Sequence, residues 1–460
     1  MSDHAITAPT TESDAAVTVS KAPPFGSFTS GVALTFATRL VMLCGVIGSS
    51  VIVARWLGPE GLGALAVLNV MVALALQIGS AGLPSANTYF ISQDRKRLGP
   101  LWANSLMFSF AAGSALTVAL LLLARIDPSL FGRVPYKLIA IAAISIPFQM
   151  LTLLGLNVFL AVDRIDLLNL LDLATPILLL INAIVVLILL GFGLSALVSL
   201  NTTAVIIIAL VLIAIIGRLL AQQKARSAFR PNFRLLKRTL RYGGKFYISI
   251  IAGVVIIRAD LLIVNHFRGA SEAGVYAVAS QVGNLLMMLP GIIATLLFPR
   301  VASDPDPRGE FALQVTRHAS FAMLLMCVAA AVLSFALPLI YGTRFTDAVI
   351  QLLILLPGVY LVSIESVLVQ HFTGTGLPLA IPIFWLFTLA LNIGLNLALI
   401  PLWGARAAAA NSAVSYALIF ILVAVYFCLK TDRRPAEIFL LRRGELRDLL
   451  TRIRLAATAR

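Results

Sequence analysis

Twelve apolar stretches, each long enough to cross a bilayer, fall into two sets of six around one strongly basic segment, and this layout constrains the fold more than any single residue. The stretches cover residues 29–53, 62–92, 101–124, 138–162, 167–190 and 194–217, then 246–267, 275–298, 313–336, 348–372, 377–402 and 407–428. A crossing takes about 20 apolar residues at a rise of ~1.5 Å each, and every stretch meets that. The runs are long and continuous rather than short and alternating. Backbone polar groups in hydrocarbon must be satisfied within each segment, so helices are expected and strands are disfavoured. The expected fold is an all-α integral membrane protein with about 12 transmembrane helices. Composition agrees, with 60% apolar and 12% charged residues and a mean hydropathy of +0.98.

A net charge of +15 invites a nucleic-acid partner, so the distribution of charge decides. From a cytoplasmic N-terminus, one side of the membrane carries 26 of the 35 basic residues, with dense runs at 218–245 and 430–460. The other side carries Arg55, Arg125, Arg133, Lys137, Arg268, Arg344 and Arg406, while Arg39 and Arg258 lie inside spans. This bias follows the positive-inside rule with both termini cytoplasmic and excludes nucleic acid as the reason for the charge. Residues 1–28 read as a disordered cytoplasmic tail, and nothing in them resembles a cleavable signal peptide. Residues 29–217 form an N-terminal six-helix bundle and 243–429 a C-terminal one. The segments 218–242 and 430–460 are a basic amphipathic linker and tail lying along anionic membrane lipids on the cytoplasmic side. Cys44, Cys327 and Cys428 sit in or at the ends of spans and read as small hydrophobes.

The halves echo each other. Gly58-Pro59-Glu60-Gly61-Leu62-Gly63-Ala64-Leu65-Ala66-Val67 joins the first two helices of the first half, and Gly269-Ala270-Ser271-Glu272-Ala273-Gly274-Val275-Tyr276-Ala277-Val278 stands at the same junction of the second. Six helices per half is an even number, so the repeats are parallel, related by a pseudo-two-fold along the membrane normal, with a substrate site between them near the midplane.

At this junction the chain resembles a known family. Ala54-Arg55-Trp56-Leu57-Gly58-Pro59-Glu60-Gly61-Leu62-Gly63, then Gly82-Leu83 and Ala86-Asn87-Thr88-Tyr89-Phe90, are similar to the opening of the polysaccharide-transporter family of the multidrug/oligosaccharidyl-lipid/polysaccharide exporter superfamily. Arg258-Ala259-Asp260-Leu261-Leu262-Ile263-Val264-Asn265, Gly274-Val275-Tyr276-Ala277 and Pro299-Arg300-Val301-Ala302-Ser303 look like its second-half signature. Tyr242-Gly243-Gly244-Lys245-Phe246 departs from it, because many relatives carry a proline there. The resemblance implies an inner-membrane flippase that moves a polyprenyl-diphosphate-linked glycan to the periplasmic leaflet by alternating access. It also implies polysaccharide polymerase and glycosyltransferases as partners in surface or exopolysaccharide biosynthesis.

The physics of that cargo asks for particular residues. A diphosphate crossing hydrocarbon needs cations, and arginine suits because its planar fork is always charged and grips phosphate oxygens in pairs. Arg39 and Arg258, in the first helix of each repeat, are the candidate diphosphate ligands. Asn87, Gln281 and Asn284, on the second helix of each half, are candidate sugar contacts, the remaining span amides being interhelical glue. Buried carboxylates gain a switchable charge, so Glu365 and Asp260 are the candidates for coupling to a proton or sodium gradient. Arg258 and Asp260 are two residues apart, about 200° around a helix, so each needs a partner elsewhere. Asp172 reads as interfacial. No G-x-x-x-x-G-K-[ST] loop, catalytic triad or metal cluster can be assembled, so no cofactor and no enzyme activity are expected. Two other readings stand beside the flippase: a cation-coupled multidrug antiporter of the same superfamily, and a non-transporting scaffold of a polysaccharide assembly complex. Drug cations want carboxylates where this chain has Arg39, which favours the flippase.

Overall fold

The computed structural model describes residues 25–132, 134–222, 229–303, 309–375 and 378–439. Expectations for residues 1–24 and for the basic tail beyond Phe439 lie outside the described residues. Those described are overwhelmingly helical: α1 (Phe25–Ser80), α2 (Leu83–Gln93), α3 (Leu98–Ile126), α4 (Tyr136–Ile144), α5 (Ile146–Ala161), α6 (Ile165–Ala183), α7 (Leu194–Gln222), α8 (Phe233–Arg268), α9 (Ala270–Leu286), α10 (Met288–Ser303), α11 (Glu310–Leu333), α12 (Leu337–Tyr341), α13 (Asp347–Thr375), α14 (Ala380–Trp403) and α15 (Ala405–Thr431). Among the described residues eleven helical segments are long and apolar enough to cross a membrane, and the chain is an all-α, two-lobed, multi-pass membrane protein.

The longest segment is not one crossing. At 56 residues α1 would reach about 84 Å if straight, well over twice the hydrocarbon thickness. It breaks at Gly58, whose φ of 68° and ψ of −172° suit only glycine, and Pro59 follows to start the next helix without needing a hydrogen bond there. The same device recurs between α8 and α9, where Gly269 takes φ 88° and ψ 171°. The sequence echo between the two junctions is thus an echo in backbone conformation. The end of the molecule that carries these junctions is here the turn side, and the end that carries residues 218–242 the linker side.

Boundaries depart from the sequence reading in two places. The predicted span 62–92 is interrupted at Ala81 and Gly82, both at positive φ, before α2 resumes at Leu83. Residues 223–228 of the predicted linker 218–242 lie outside the described residues; before them α7 runs through Gln222, and after them the stretch from Phe233 is a direct extension of α8, capped by the Asn232 side chain accepting from the Leu235 amide. That extension packs on the first lobe, with Asn104 and Asn232 exchanging hydrogen bonds of 3.0 and 2.8 Å, Tyr242 stacked on Tyr89, and the Arg238 guanidinium over the Phe90 ring.

The lobes join through dry packing. Val67, Leu68 and Met71 of α1 share a core with Leu261 and Val264 of α8 and Tyr276 of α9, and Val53 and Leu62 share another with Val275 and Val278. Separate cores hold each lobe together, Trp102, Phe159 and Leu212 in the first and Ile364, Phe420 and Phe427 in the second.

Candidate functional site

The two lobes approach most closely through glycines at both ends of their junction. On the turn side, a Cβ on Gly63 would lie 1.8 Å from the Ala270 carbonyl oxygen and one on Gly274 would lie 2.0 Å from the Pro59 carbonyl oxygen, so α1 and α9 touch backbone to backbone. Toward the linker side a Cβ on either Gly82 or Gly243 would lie 2.5 Å from the other's carbonyl oxygen. Nearby the Tyr247 and Ser80 hydroxyls pair at 2.7 Å.

Arg258 stands between these two ends. It is the twelfth residue of the 22-residue span Tyr247–Arg268, hence at mid-depth. Tyr247, Arg258 and Asn265 lie within about 20° of one another around α8. Tyr247 meets Ser80, and Asn265 packs against the backbone at Gly132, so this face looks toward the first lobe. Arg258 is exposed there, and its guanidinium makes no ion pair or hydrogen bond among the described residues. A cation in that position can receive an anion without first losing a partner. Asn265, fully buried with its amide unpartnered, belongs to the same face and was not singled out by the sequence reading, which saw an apolar run around it.

Asp260 turns away from Arg258 into the second lobe, as their spacing requires. Its carboxylate is 2% exposed and accepts from the Tyr276 hydroxyl, from Ser412 Oγ at 2.9 Å and from the Leu261 amide at 2.7 Å. Beside Ser412 the network continues: Asn411 donates to the Asn392 carbonyl at 2.8 Å, Asn392 to Ser415 Oγ at 2.9 Å, and Asn396 to Asn392 Oδ1 at 3.1 Å. The side-chain oxygens of Asn396 and Asn411 and the hydroxyl of Thr388 have no hydrogen-bond partner. This buried, oxygen-rich cluster draws on α8, α9, α14 and α15. Three of the amides read from sequence as glue, Asn392, Asn396 and Asn411, are bonded to one another across α14 and α15, which no local spacing could have revealed.

The other sequence candidates are scattered. Arg39 pairs with Asp172 of α6 at 3.0 Å, within the first lobe, so its charge is matched by a carboxylate and Asp172 has a defined partner. Asn87 is 2% exposed and donates to Ser105 Oγ at 2.9 Å, joining α2 to α3. Gln281 and Asn284 are half-buried, one turn apart on the face of α9 that carries Gly274 against α1. Glu365 of α13 is 2% exposed with Oε1 unpartnered, in the apolar interior of the second lobe and not bonded to Asp260. Among the described residues no group of three or more His, Cys, Asp and Glu could hold a metal ion.

Known proteins share this architecture. A family profile described as "Polysaccharide biosynthesis protein" matches residues 52–350. The "Probable low-salt glycan biosynthesis flippase Agl15" of Haloferax volcanii is 25% identical over 203 residues, a match spanning 43% of each chain and so under half the length of that relative. Among solved structures, the lipid II flippase MurJ in an inward closed conformation superposes with a TM-score of 0.72 at 14% identity over 89% of both chains. An inward-facing multidrug resistance transporter of the MATE family gives 0.68 at 14% identity over 87% of this chain and 98% of that one. At such identities the structural likeness shows the fold alone.

Proposed function

The chain belongs to the polysaccharide biosynthesis protein family, and from that premise we propose that it is a flippase carrying a polyprenyl-diphosphate-linked oligosaccharide from the cytoplasmic to the periplasmic leaflet by alternating access. The observation that carries the reading is Arg258, a guanidinium at mid-depth facing the other lobe with no ion pair or hydrogen bond among the described residues. An uncompensated cation in hydrocarbon is costly unless it meets water or an anionic cargo, and a diphosphate fits its bidentate fork. The role is transport rather than catalysis.

The linker side is cytoplasmic in this reading, with both termini inside and the Gly58 break giving twelve crossings, six per bundle. Arg258 holds the diphosphate. Arg39 contributes less because Asp172 already matches its charge. Gln281 and Asn284 meet the first sugars, and Asn87 supports the fold of the first lobe through Ser105. Asp260 and its neighbouring amides take up the coupling ion, proton or sodium, with Glu365 a second titrating group; cations suit an oxygen cluster with unfilled acceptors. The glycan would be supplied by glycosyltransferases and consumed by a polymerase.

The test is transfer of a fluorescent polyprenyl-diphosphate disaccharide across proteoliposome bilayers. Wild type should carry it, Arg258→Ala should lose it at normal abundance, and Arg258→Lys should restore part, since a point charge replaces a two-pronged donor. Undiminished transfer by Arg258→Ala would sink the reading. Transfer of cationic drugs instead would favour the antiporter, and transfer of neither the scaffold.

A further inference from the structure

A polar concavity lies away from Arg258, on the turn side of the second lobe. It encloses about 550 Å³ where the ends of α8 and α14 meet the starts of α9, α13 and α15, a size within the range of roughly 300–1,000 Å³ usual for small-molecule sites. Two ion pairs build its wall, Arg268 with Glu272 at 3.0 Å and Arg406 with Asp347 at 3.1 Å. Glu272 is fixed further by its second oxygen, which accepts from the Ala405 amide at 2.7 Å and holds the start of α15 in place. Gln351, only 2% exposed, lines the same concavity, and its amide oxygen has no hydrogen-bond partner among the described residues. Trp403 completes the lining with its ring 66% exposed.

Each of these features points to the same ligand chemistry. Two guanidiniums and two carboxylates cancel, so an ion of either sign meets an opposing charge for each attractive one. Each ion pair sets spare N–H donors beside oxygen lone pairs in the wall, which suits a molecule whose edges both donate and accept. A buried amide oxygen left unsatisfied is costly, and a hydroxyl placed beside Gln351 would satisfy it. The indole offers a broad flat apolar surface next to polar groups, to which the C–H face of a pyranose ring is complementary.

We propose that this concavity is a binding subsite for neutral pyranose residues, which receives the glycan head as it leaves the lobe junction on the turn side. Its place in transport rests on the flippase reading, whereas its affinity for sugar does not. Saturation-transfer NMR on the full chain in nanodiscs tests it, with maltohexaose and cellohexaose as neutral probes and an oligogalacturonate of equal length as the acidic one. Saturation should reach the ring C–H protons of at least one neutral probe, fall at least fivefold in Trp403→Ala and at least twofold in Gln351→Leu, and be weak for the acidic probe. Trp403 is exposed, so its substitution leaves the fold intact, and Trp403→Phe should retain most of the signal. No transfer to either neutral probe, equal transfer in Trp403→Ala, or stronger transfer to the acid would overturn the subsite. Absence of sugar binding in a protein that still flips the fluorescent glycolipid removes only the subsite. Sugar binding without flipping removes only the transport reading.

Discussion

Placing a methyl group on Gly274 should push the two lobes apart on the turn side, and placing one on Gly82 should do so on the linker side. The added Cβ at Gly274 would sit 2.0 Å from the Pro59 carbonyl oxygen and 2.8 Å from the Gly63 amide nitrogen. Reaching van der Waals separation takes roughly 1.5 Å of movement. Both contacted atoms are main chain within packed helices, so no side chain can swing aside, and the lobes must separate. At Gly82 the contact is 2.5 Å and the required movement about 1 Å. Overpacking of this kind costs about 1–3 kcal/mol, which shifts a two-state equilibrium about 5- to 150-fold. Gly274→Ala should therefore favour states open on the turn side, and Gly82→Ala states open on the linker side. Spin-label distances measure this in protein with Cys44, Cys327 and Cys428 replaced by alanine, using Ser195 with Thr343 on the turn side and Ser92 with Thr373 on the linker side, all exposed. Gly274→Ala should lengthen the first distance and Gly82→Ala the second. If both variants lengthened the same pair, or neither moved while melting cooperatively, the glycine contacts would not be the surfaces on which the lobes close.

Other outcomes follow from the same contacts. Asp172→Ala should strand the Arg39 charge and lower membrane abundance, whereas the Arg39→Ala, Asp172→Ala pair should regain abundance and keep most glycan export; loss of export in the folded pair would return Arg39 to the cargo path. Asp260→Asn should preserve abundance but abolish the dependence of transfer on an imposed ion gradient, and Tyr276→Phe, which removes one donor to the carboxylate, should weaken it; gradient dependence unchanged in Asp260→Asn would leave the cluster structural. Asn87→Leu removes the amide's donation to Ser105, whose hydroxyl keeps its bond to the Leu101 carbonyl, and should cost about 0.5–1.5 kcal/mol of stability, read as a lowered melting temperature, with the rate per folded molecule unchanged.

Sequence alone determined the class of molecule. Long apolar runs leave helices as the only economical solution in lipid, and the charge of the loops chooses which way they face. Periodicity and spacing also indicated that Arg258 and Asp260 cannot pair on one face of their helix, because 100° per residue fixes their relation regardless of what surrounds them. The Gly58 and Gly269 junctions were legible too, since positive φ is a property of a single residue. What remained hidden depends on which helix lies beside which. In a span that is apolar all round there is no amphipathic stripe to mark the partner face, so sequence could not tell that Arg39 meets Asp172 while Arg258 forms no ion pair or hydrogen bond among the described residues. The assembly of Asp260, Tyr276 and Ser412 spans more than 150 residues of chain, and the wall of the turn-side concavity joins five helix ends. Such groups are set by three-dimensional packing, which sequence spacing does not encode, and only the tertiary structure could bring them together.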